Sequence, residues 1–221
     1  MEPKSPERPA PNNITLLKDR ITEIPGFQRE ITVRADNIGA SKWPEMLAAT
    51  KEDGLERGIN VFRTPITKKF YTGTIITGTK KDFKTGKNVP IQSSDIGLKG
   101  FISDIVASVH THPLTEEEAH LKTTVPSGSD VQTFFENAYS TMVILDRGGA
   151  HLLVRTRDTL NQETPPTDLI QKKINEVAAK GGTVADVQKQ LNSMLSQYGI
   201  SYFYTENLTS AEDGTITFKK P

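Results

Sequence analysis

Residues 101–113, FISDIVASVHTHP, decide the fold, because they combine a buried strand with a pair of histidines. Apolar residues become more frequent toward His110, as is typical of a central strand covered on both faces. Side chains alternate along a strand, so His110 and His112 are expected on one face, a few ångströms apart. Two imidazoles at that spacing can bind one cation, and zinc is the common ion that such pairs favour. Histidines in this pattern also occur as ordinary strand or loop residues, so the pair alone leaves both interpretations open.

A third ligand is expected from the segment PSGSD, residues 126–130. It precedes VQTFFENAY, whose apolar residues recur at helical intervals and predict an amphipathic helix. Ser127 and Asp130 have the spacing of a capping box, with Ser127 as the N-cap. The same helix start could return the Asp130 carboxylate to the end of the histidine strand, and a negative charge is favoured in a first helical turn. Asp146 is the rival third ligand, although the Arg-Gly-Gly turn that follows it gives it a structural explanation.

The composition limits the classes of protein to which this chain can belong. Its 221 residues contain 27 Lys and Arg against 27 Asp and Glu, and 35% are hydrophobic. A chain of this length can form one domain with a full core, or at most two small ones. The balanced charge argues against a nucleic-acid-binding protein. The absence of cysteine excludes disulfides, thiol catalysis and zinc sites with cysteine ligands.

The sequence predicts no membrane span, since no apolar run approaches the ~20 residues that a helix needs to cross a bilayer. The N-terminal segment MEPKSPERPAP lacks the apolar stretch of a Sec signal peptide. A cytoplasmic location is therefore favoured, with export by a route other than Sec left open.

The order of the predicted elements favours a single mixed domain, α+β or α/β, in three parts. Residues 1–13 are expected to form a disordered proline-rich tail. Residues 14–157 are expected to contain the core with an N-terminal extension, and residues 158–221 to form helices and a hairpin packed on that core.

Local patterns predict the individual elements. A helix is expected over residues 43–51, with Ser41 as its N-cap. STMVILD and AHLLVRT are expected to pair as a hairpin across an Arg-Gly-Gly turn. Within residues 168–197, two helices are expected, the second of them capped by Thr183. The strands GISYFYTENL and TITFKK are expected to form a C-terminal hairpin.

The histidine segment and the serine–aspartate segment together resemble the signature of a known family. HTHP, residues 110–113, followed by SGSD, residues 127–130, is similar to the His-x-His-Pro … Ser-x-x-Asp motif of the JAMM (MPN-domain) zinc metallopeptidases, and the chain looks like a divergent member of bacterial type. The family has a glutamate at the start of a strand after its first helix; Glu56 matches this position, and Glu52 is the rival. The resemblance covers roughly residues 40–157. It implies a catalytic core with the family's three-layer, cytidine-deaminase-like fold.

The resemblance also implies a chemistry. His110, His112 and Asp130 would hold Zn²⁺, and water would take the open fourth position. Glu56 would act as general base and then as general acid, and the Ser127 hydroxyl would hydrogen-bond the oxyanion. The implied activity is hydrolysis of an amide bond by a peptidase or isopeptidase. Its substrate would be a protein or peptide, such as a ubiquitin-like conjugate or a peptide derived from peptidoglycan.

Two departures from the family pattern bear on these expectations. Fourteen residues separate His112 from Ser127, about twice the usual number, so residues 114–125 include an insertion expected beside the metal. His120 within it is either a fourth ligand or substrate contact, or a solvated loop residue. The second departure is the Arg-Gly pair after Glu56, where the family commonly has a small apolar run.

Alternatives stay open for one residue and for the function. Ser129 is the rival to Ser127 as the hydroxyl donor. The alternative function is a non-catalytic JAMM-like scaffold or protein-binding module. A nuclease or phosphoesterase that uses the same metal is disfavoured, because the chain is neutral and shows no second acidic metal cluster.

Overall fold

The computed structural model describes residues 29–64, 67–78, 104–113, 125–137, 140–156 and 166–221. The predicted tail over residues 1–13 and residues 114–124 of the insertion, with His120, lie outside the described residues. The strands are β1 Glu30–Arg34, β2 Arg57–Arg63, β3 Phe70–Thr72, β4 Ile76–Thr77, β5 Asp104–Thr111, β6 Thr141–Leu145, β7 Ala150–Arg155, β8 Ile200–Thr205 and β9 Thr215–Lys219. The α-helices are α1 Trp43–Asp53, α2 Gly128–Glu136, α3 Thr167–Ala179 and α4 Val184–Ser196, and two short 3-10 helices, Ala35–Ile38 and Ala40–Lys42, precede α1.

The strands form one mixed sheet in the order β1-β9-β8-β7-β6-β5-β2-β3, with β4 also paired to β2. The histidine strand β5 lies inside this sheet, between β2 and β6, as its apolar pattern predicts. It pairs with β6 in parallel and with β2 in antiparallel orientation. A parallel pair needs a crossover, and α2 supplies it between β5 and β6. The start of α2 is thereby returned to the end of β5 that carries the histidines.

Both faces of the sheet are covered by helices, which agrees with the predicted mixed α and β class. One core lies between the sheet and α1, with Trp43 and Met46 fully buried against Val109 and Leu145. The other core lies between the sheet and α2, α3 and α4. Successive side chains of β6 alternate between the two cores, with Val143 and Leu145 in the first and Met142 and Ile144 in the second, so the two faces of the sheet have different environments. None of the helices in the described part of the chain is long and apolar enough to cross a membrane.

Most helix boundaries follow the sequence signals. Ser127 and Thr183 both cap their helices as predicted, each in a capping box. Gly54, with φ 73°, ends α1 in the left-handed region that glycine adopts without strain. The prediction of Ser41 as N-cap of α1 was wrong: Ser41 belongs to the preceding 3-10 helix, and Lys42 takes the N-cap position without a side-chain capping bond.

The C-terminal strands join the same sheet in a way that differs from a simple hairpin. β8 pairs with β7 from Arg155↔Ile200 to Ala150↔Thr205. β9 is a neighbour of β8, but the register joins them only at Tyr204↔Lys219. Along its length β9 pairs instead with β1, where Ile31 faces Phe218. The two predicted strands are therefore adjacent and antiparallel, and most of the pairing of β9 is with β1, whose apolar residues share its buried face.

Candidate metal centre

The two histidines at the end of β5 point to one side of the sheet, as their spacing predicts. Their Nε2 atoms are 3.2 Å apart and their ring centroids 5.0 Å apart. The His112 backbone N–H donates to the Leu145 carbonyl at 2.7 Å and extends the β5–β6 pairing beyond the strand. Both imidazoles are largely buried, with 14% of the His110 side chain and 9% of the His112 side chain exposed. The pair is therefore held by the backbone of the central strands.

Asp130 reaches both imidazoles from the start of α2. Its Oδ1 lies 3.1 Å from His110 Nε2, and its Oδ2 lies 3.3 Å from His112 Nε2. The capping box fixes the carboxylate, because Oδ2 accepts from the Ser127 N–H at 2.6 Å and from the Ser127 hydroxyl at 2.7 Å. Burial by itself would raise the pKa of the Asp130 carboxyl, but the charge and hydrogen bonds of the two histidines lower it well below the usual aspartate range. The carboxylate is therefore the form that the site favours.

The donor set fits one small cation. Histidine nitrogens and a carboxylate oxygen from His110, His112 and Asp130 all lie within 4.8 Å of one another. A tetrahedral zinc with bonds of about 2.0–2.1 Å would place its ligand atoms about 3.3–3.4 Å apart. The two Nε2 atoms are 3.2 Å apart, and each lies at a similar distance from one Asp130 oxygen: His110 is 3.1 Å from Oδ1 and His112 is 3.3 Å from Oδ2. Two imidazoles and one carboxylate leave one position open, which is the ligand count of a catalytic zinc site.

Glu56 lies beside this group, immediately before β2. Its Oε1 is 3.9 Å from His112 Nε2, and only 7% of its side chain is exposed. Oε1 is buried and has no hydrogen-bond partner among the described residues. Burial raises the pKa of the Glu56 carboxyl, while the nearby His112 and His110 act to lower it. A buried acceptor without a partner is uncommon in folded proteins and indicates a ligand, an ion or water at that position.

Glu56, and not its rival Glu52, is the glutamate that the structure brings to the histidines. Glu52 is exposed within α1. The two residues after Glu56 that depart from the family pattern have clear places: Arg57 binds Asp53, and Gly58 lies across from His110 in the β2–β5 register. Glu56 precedes Gly58 by two positions, so strand alternation directs it to the face that carries the histidines.

The two candidate hydroxyls lie together at the start of α2. Ser127 Oγ is 2.8 Å from Ser129 Oγ. The Ser127 hydroxyl contacts Asp130 directly, whereas Ser129 is exposed. Ser127 therefore supplies the hydroxyl that lies next to the candidate ligand Asp130.

Asp146, the rival third ligand, belongs to a separate hydrogen-bond network at the turn between β6 and β7. Its side chain is fully buried, and Oδ1 accepts from the Gly148 and Gly149 N–H groups at 2.7 and 2.9 Å. Its Oδ2 lies 3.2 Å from His151 Nε2, and His151 Nδ1 lies 2.8 Å from the Tyr202 hydroxyl. This network stabilises the turn between β6 and β7, as the Arg-Gly-Gly sequence indicates.

Thr111, between the two histidines, receives no role from the motif. Alternation predicts that its side chain leaves the face of the sheet that carries the histidines, and the structure buries it completely. Its hydroxyl contacts Thr50 of α1 at 2.6 Å and the Arg57 N–H at 2.8 Å. The one available signal was the period of the strand, which fixes the direction of Thr111 but not its partners.

No family model matches the chain, and no curated protein matches it either. The chemistry of the site therefore rests on the residues and distances given above.

Proposed function

We propose that this protein is a metal-dependent hydrolase of amide bonds, a peptidase or isopeptidase of the JAMM type with the corresponding three-layer fold. One observation carries the proposal. The Nε2 atoms of His110 and His112 and the Asp130 carboxylate converge within 3.3 Å of one another, with the buried Glu56 Oε1 3.9 Å from His112. His110, His112 and Asp130 belong to the two motifs on which the family resemblance is based, and Glu56 matches the glutamate that the family has upstream.

His110, His112 and Asp130 would hold the ion, and the donor set favours Zn²⁺. A zinc ion with three protein ligands polarises water and lowers its pKa toward 7, which makes a nucleophile available near neutrality. The chain contributes a preformed group of ligands, because the β5–β6 pairing fixes the histidines and the capping box fixes the carboxylate.

Glu56 would carry the proton. Its carboxylate would accept a proton from the attacking water and then donate it to the leaving amine nitrogen, a role worth about 10²–10⁴-fold in rate. Burial suits it to this work, because the raised pKa brings the carboxyl closer to neutral pH than an exposed glutamate. Its Oε1 has no competing hydrogen bond within the described residues, so it is free to meet the water.

Ser127 would stabilise the oxyanion. Its hydroxyl donates to Asp130 Oδ2 at 2.7 Å, while its backbone N–H donates to the same oxygen at 2.6 Å. Because the backbone bond can hold Asp130 alone, the hydroxyl can turn toward a developing negative charge without releasing the ligand. A donor used in this way acts mainly in the transition state, where it lowers the barrier.

The proposed substrate is an amide in a protein or peptide. A ubiquitin-like conjugate and a peptide derived from peptidoglycan are the two classes we would test first. Nucleic acid is not proposed, because the chain has no net positive charge.

Metal content is the experiment that tests the proposal most directly. Purified wild-type protein, loaded with zinc and freed of excess by gel filtration, should hold about one ion per chain, as one three-ligand site requires. His112→Ala should hold close to none. Asp186→Asn, at an exposed position near the start of α4, is the control and should keep the ion. A wild-type protein that stays free of metal under these conditions would refute the hydrolase.

A second measurement separates the hydrolase from the non-catalytic scaffold. Glu56→Gln should keep its zinc but lose turnover by about 10²–10⁴-fold. Glu52→Gln changes the same functional group four residues earlier on an exposed surface and should keep both. If Glu56→Gln remained as active as the wild type, Glu56 would not be the base. If the metal-loaded wild type cleaved neither substrate class, the scaffold would be favoured.

A further inference from the structure

The Thr111 hydroxyl makes two hydrogen-bond contacts on the side of the sheet opposite the histidines. It is fully buried, and its Oγ1 lies 2.6 Å from Thr50 Oγ1 of α1. The same oxygen accepts the Arg57 backbone N–H at 2.8 Å. One side chain therefore joins three elements: the histidine strand, the helix α1, and the start of β2.

This contact extends the β2–β5 pairing by one position. The backbone register of the two strands runs to Gly58↔His110. At the next position a side-chain oxygen of Thr111, and not a backbone carbonyl, accepts the Arg57 N–H. The peptide bond held in this way is the one between Glu56 and Arg57.

Other hydrogen bonds also fix the same short segment. The Glu56 carbonyl accepts from the Gly78 N–H at 2.9 Å, next to β4. The Arg57 guanidinium binds both carboxylate oxygens of Asp53, at 2.6 and 2.7 Å, and so closes the turn between α1 and β2. Of these anchors, Thr111 alone belongs to the histidine strand and links Glu56 to the metal ligands.

We propose that Thr111 is a positioning residue: its hydroxyl holds the Glu56–Arg57 peptide against the end of the histidine strand and so keeps the Glu56 carboxylate beside the metal group. The role of Glu56 in catalysis rests on the proposed function, whereas the contact itself does not. Thr111 touches neither the ion nor the substrate, because it lies on the opposite face of β5.

The test compares three single variants of the full chain. Thr111→Val keeps the shape of the side chain but removes the hydroxyl, and Thr111→Ser restores it. Thr156→Val is the control. Thr156 is also buried, and its hydroxyl donates to the Gly199 carbonyl at 2.6 Å. It follows the last residue of β7, whereas the turn next to the site precedes the first. The readouts are amide hydrogen exchange at Arg57 by NMR, zinc content, and kcat and KM on an amide substrate that the wild type cleaves.

Exchange at the Arg57 amide should become at least about tenfold faster in Thr111→Val, since the lost hydrogen bond protects that group alone. It should stay near the wild-type rate in Thr111→Ser and Thr156→Val. Zinc content should stay near one ion per chain in all three variants. In Thr111→Val, kcat should fall about 10–100-fold with little change in KM, as expected for a misplaced general base. Thr111→Ser should recover most of this loss.

The results that would overturn the proposal are separate from those that would overturn the hydrolase. An Arg57 amide that exchanges equally slowly in Thr111→Val and the wild type would show that the hydroxyl does not hold this peptide. A loss of kcat in Thr156→Val as large as in Thr111→Val would reduce Thr111 to a general contribution to stability. A wild type without zinc or amide hydrolysis would refute the proposed function. The exchange comparison would still show whether the Thr111 hydroxyl holds the Arg57 amide.

Discussion

The helices α2 and α4 begin with the same local structure and differ in what they face. In α2, Asp130 Oδ2 accepts from the N–H and the hydroxyl of Ser127 at 2.6 and 2.7 Å. In α4, Asp186 Oδ2 accepts from the N–H and the hydroxyl of Thr183 at 2.9 and 2.7 Å. In both helices the reciprocal bond from the aspartate N–H is 3.2 Å long. The two capping boxes therefore have nearly the same hydrogen-bond pattern.

Their surroundings give the two boxes different chemistry. Asp186 is exposed, and the hydrogen bonds of its carboxylate within the described part of the chain both come from Thr183. Asp130 turns its second oxygen to His110, at 3.1 Å, and lies inside the protein. A Ser/Thr-x-x-Asp segment is therefore a helix-start signal first. It becomes a candidate ligand only when the fold places a strand with ligand side chains opposite it.

The largest expected difference between the boxes is in metal content. Asp130→Asn keeps an oxygen for the capping box but removes the negative charge, so zinc should fall from about one ion per chain to near zero. Asp186→Asn makes the same change in the other box and should leave the zinc content unaltered. Elemental analysis after gel filtration measures both. Equal zinc content in the two variants would show that α2 is no more than a second copy of the α4 start.

The next difference is in turnover. Ser127→Ala and Thr183→Ala each remove an N-cap and should each cost about 1 kcal/mol of stability. Only Ser127→Ala removes the proposed oxyanion donor, so its kcat should also fall by about 10²–10³-fold. Urea unfolding and steady-state kinetics on the same preparations separate the two effects. A normal kcat in Ser127→Ala would exclude its hydroxyl from the reaction.

A third difference is in stabilisation by zinc. At a free concentration of one hundred times its Kd, an ion bound by the folded state alone stabilises it by about 2.7 kcal/mol. The wild type and Asp186→Asn should both show a higher melting temperature with zinc than with a chelator. Asp130→Asn should melt at the same temperature in both conditions. Differential scanning calorimetry provides the measurement, and a zinc-dependent shift in Asp130→Asn would contradict the assigned ligand.

The smallest expected difference is in folding stability at acidic pH. Hydrogen bonds from the Thr183 hydroxyl and N–H lower the pKa of Asp186 below its usual value. A carboxyl with a lowered folded-state pKa contributes stability that is fully present above its unfolded-state pKa, about 4, and is lost as the pH falls through the folded-state value. From pH 5 downward, the wild type should therefore lose stability more steeply than Asp186→Asn. Parallel acid-unfolding slopes for the two proteins would contradict this.

The same contrast shows what the sequence could predict. Short-range sequence signals, such as the Ser127 and Thr183 caps, predicted both helix starts, the histidine strand and the β6–β7 pair. Strand alternation predicted that His110 and His112 share a face, and their Nε2 atoms are 3.2 Å apart. The start of α1 at Trp43 was predicted correctly, but its N-cap was not, because the chain makes a 3-10 turn at Ala40–Lys42 and nothing at Ser41 distinguishes the two kinds of helix.

Partners that are distant in sequence could not be predicted from local pattern. The pairing of β9 with β1 depends on matching Ile31 with Phe218 and Val33 with Ile216 across the whole chain. The link from Thr111 to Arg57 spans 54 positions and depends on a register that alternation leaves undetermined. The family resemblance supplied Glu56, since the residues around it contain no signal that would choose it over Glu52 by themselves.

The crossover between β5 and β6 also has a consequence for the order in which the site assembles. His110 and Asp130 are 20 positions apart, whereas the bond that positions Glu56 joins residues 54 positions apart. Closing the longer loop costs about 0.9 kcal/mol more in chain entropy, before strand pairing compensates for it. We therefore expect the proposed ligand half of the site to become protected earlier during refolding than the proposed proton-transfer half. Pulse labelling of the His112 and Arg57 amides would reveal that sequence of events, and earlier protection of Arg57 would reverse it.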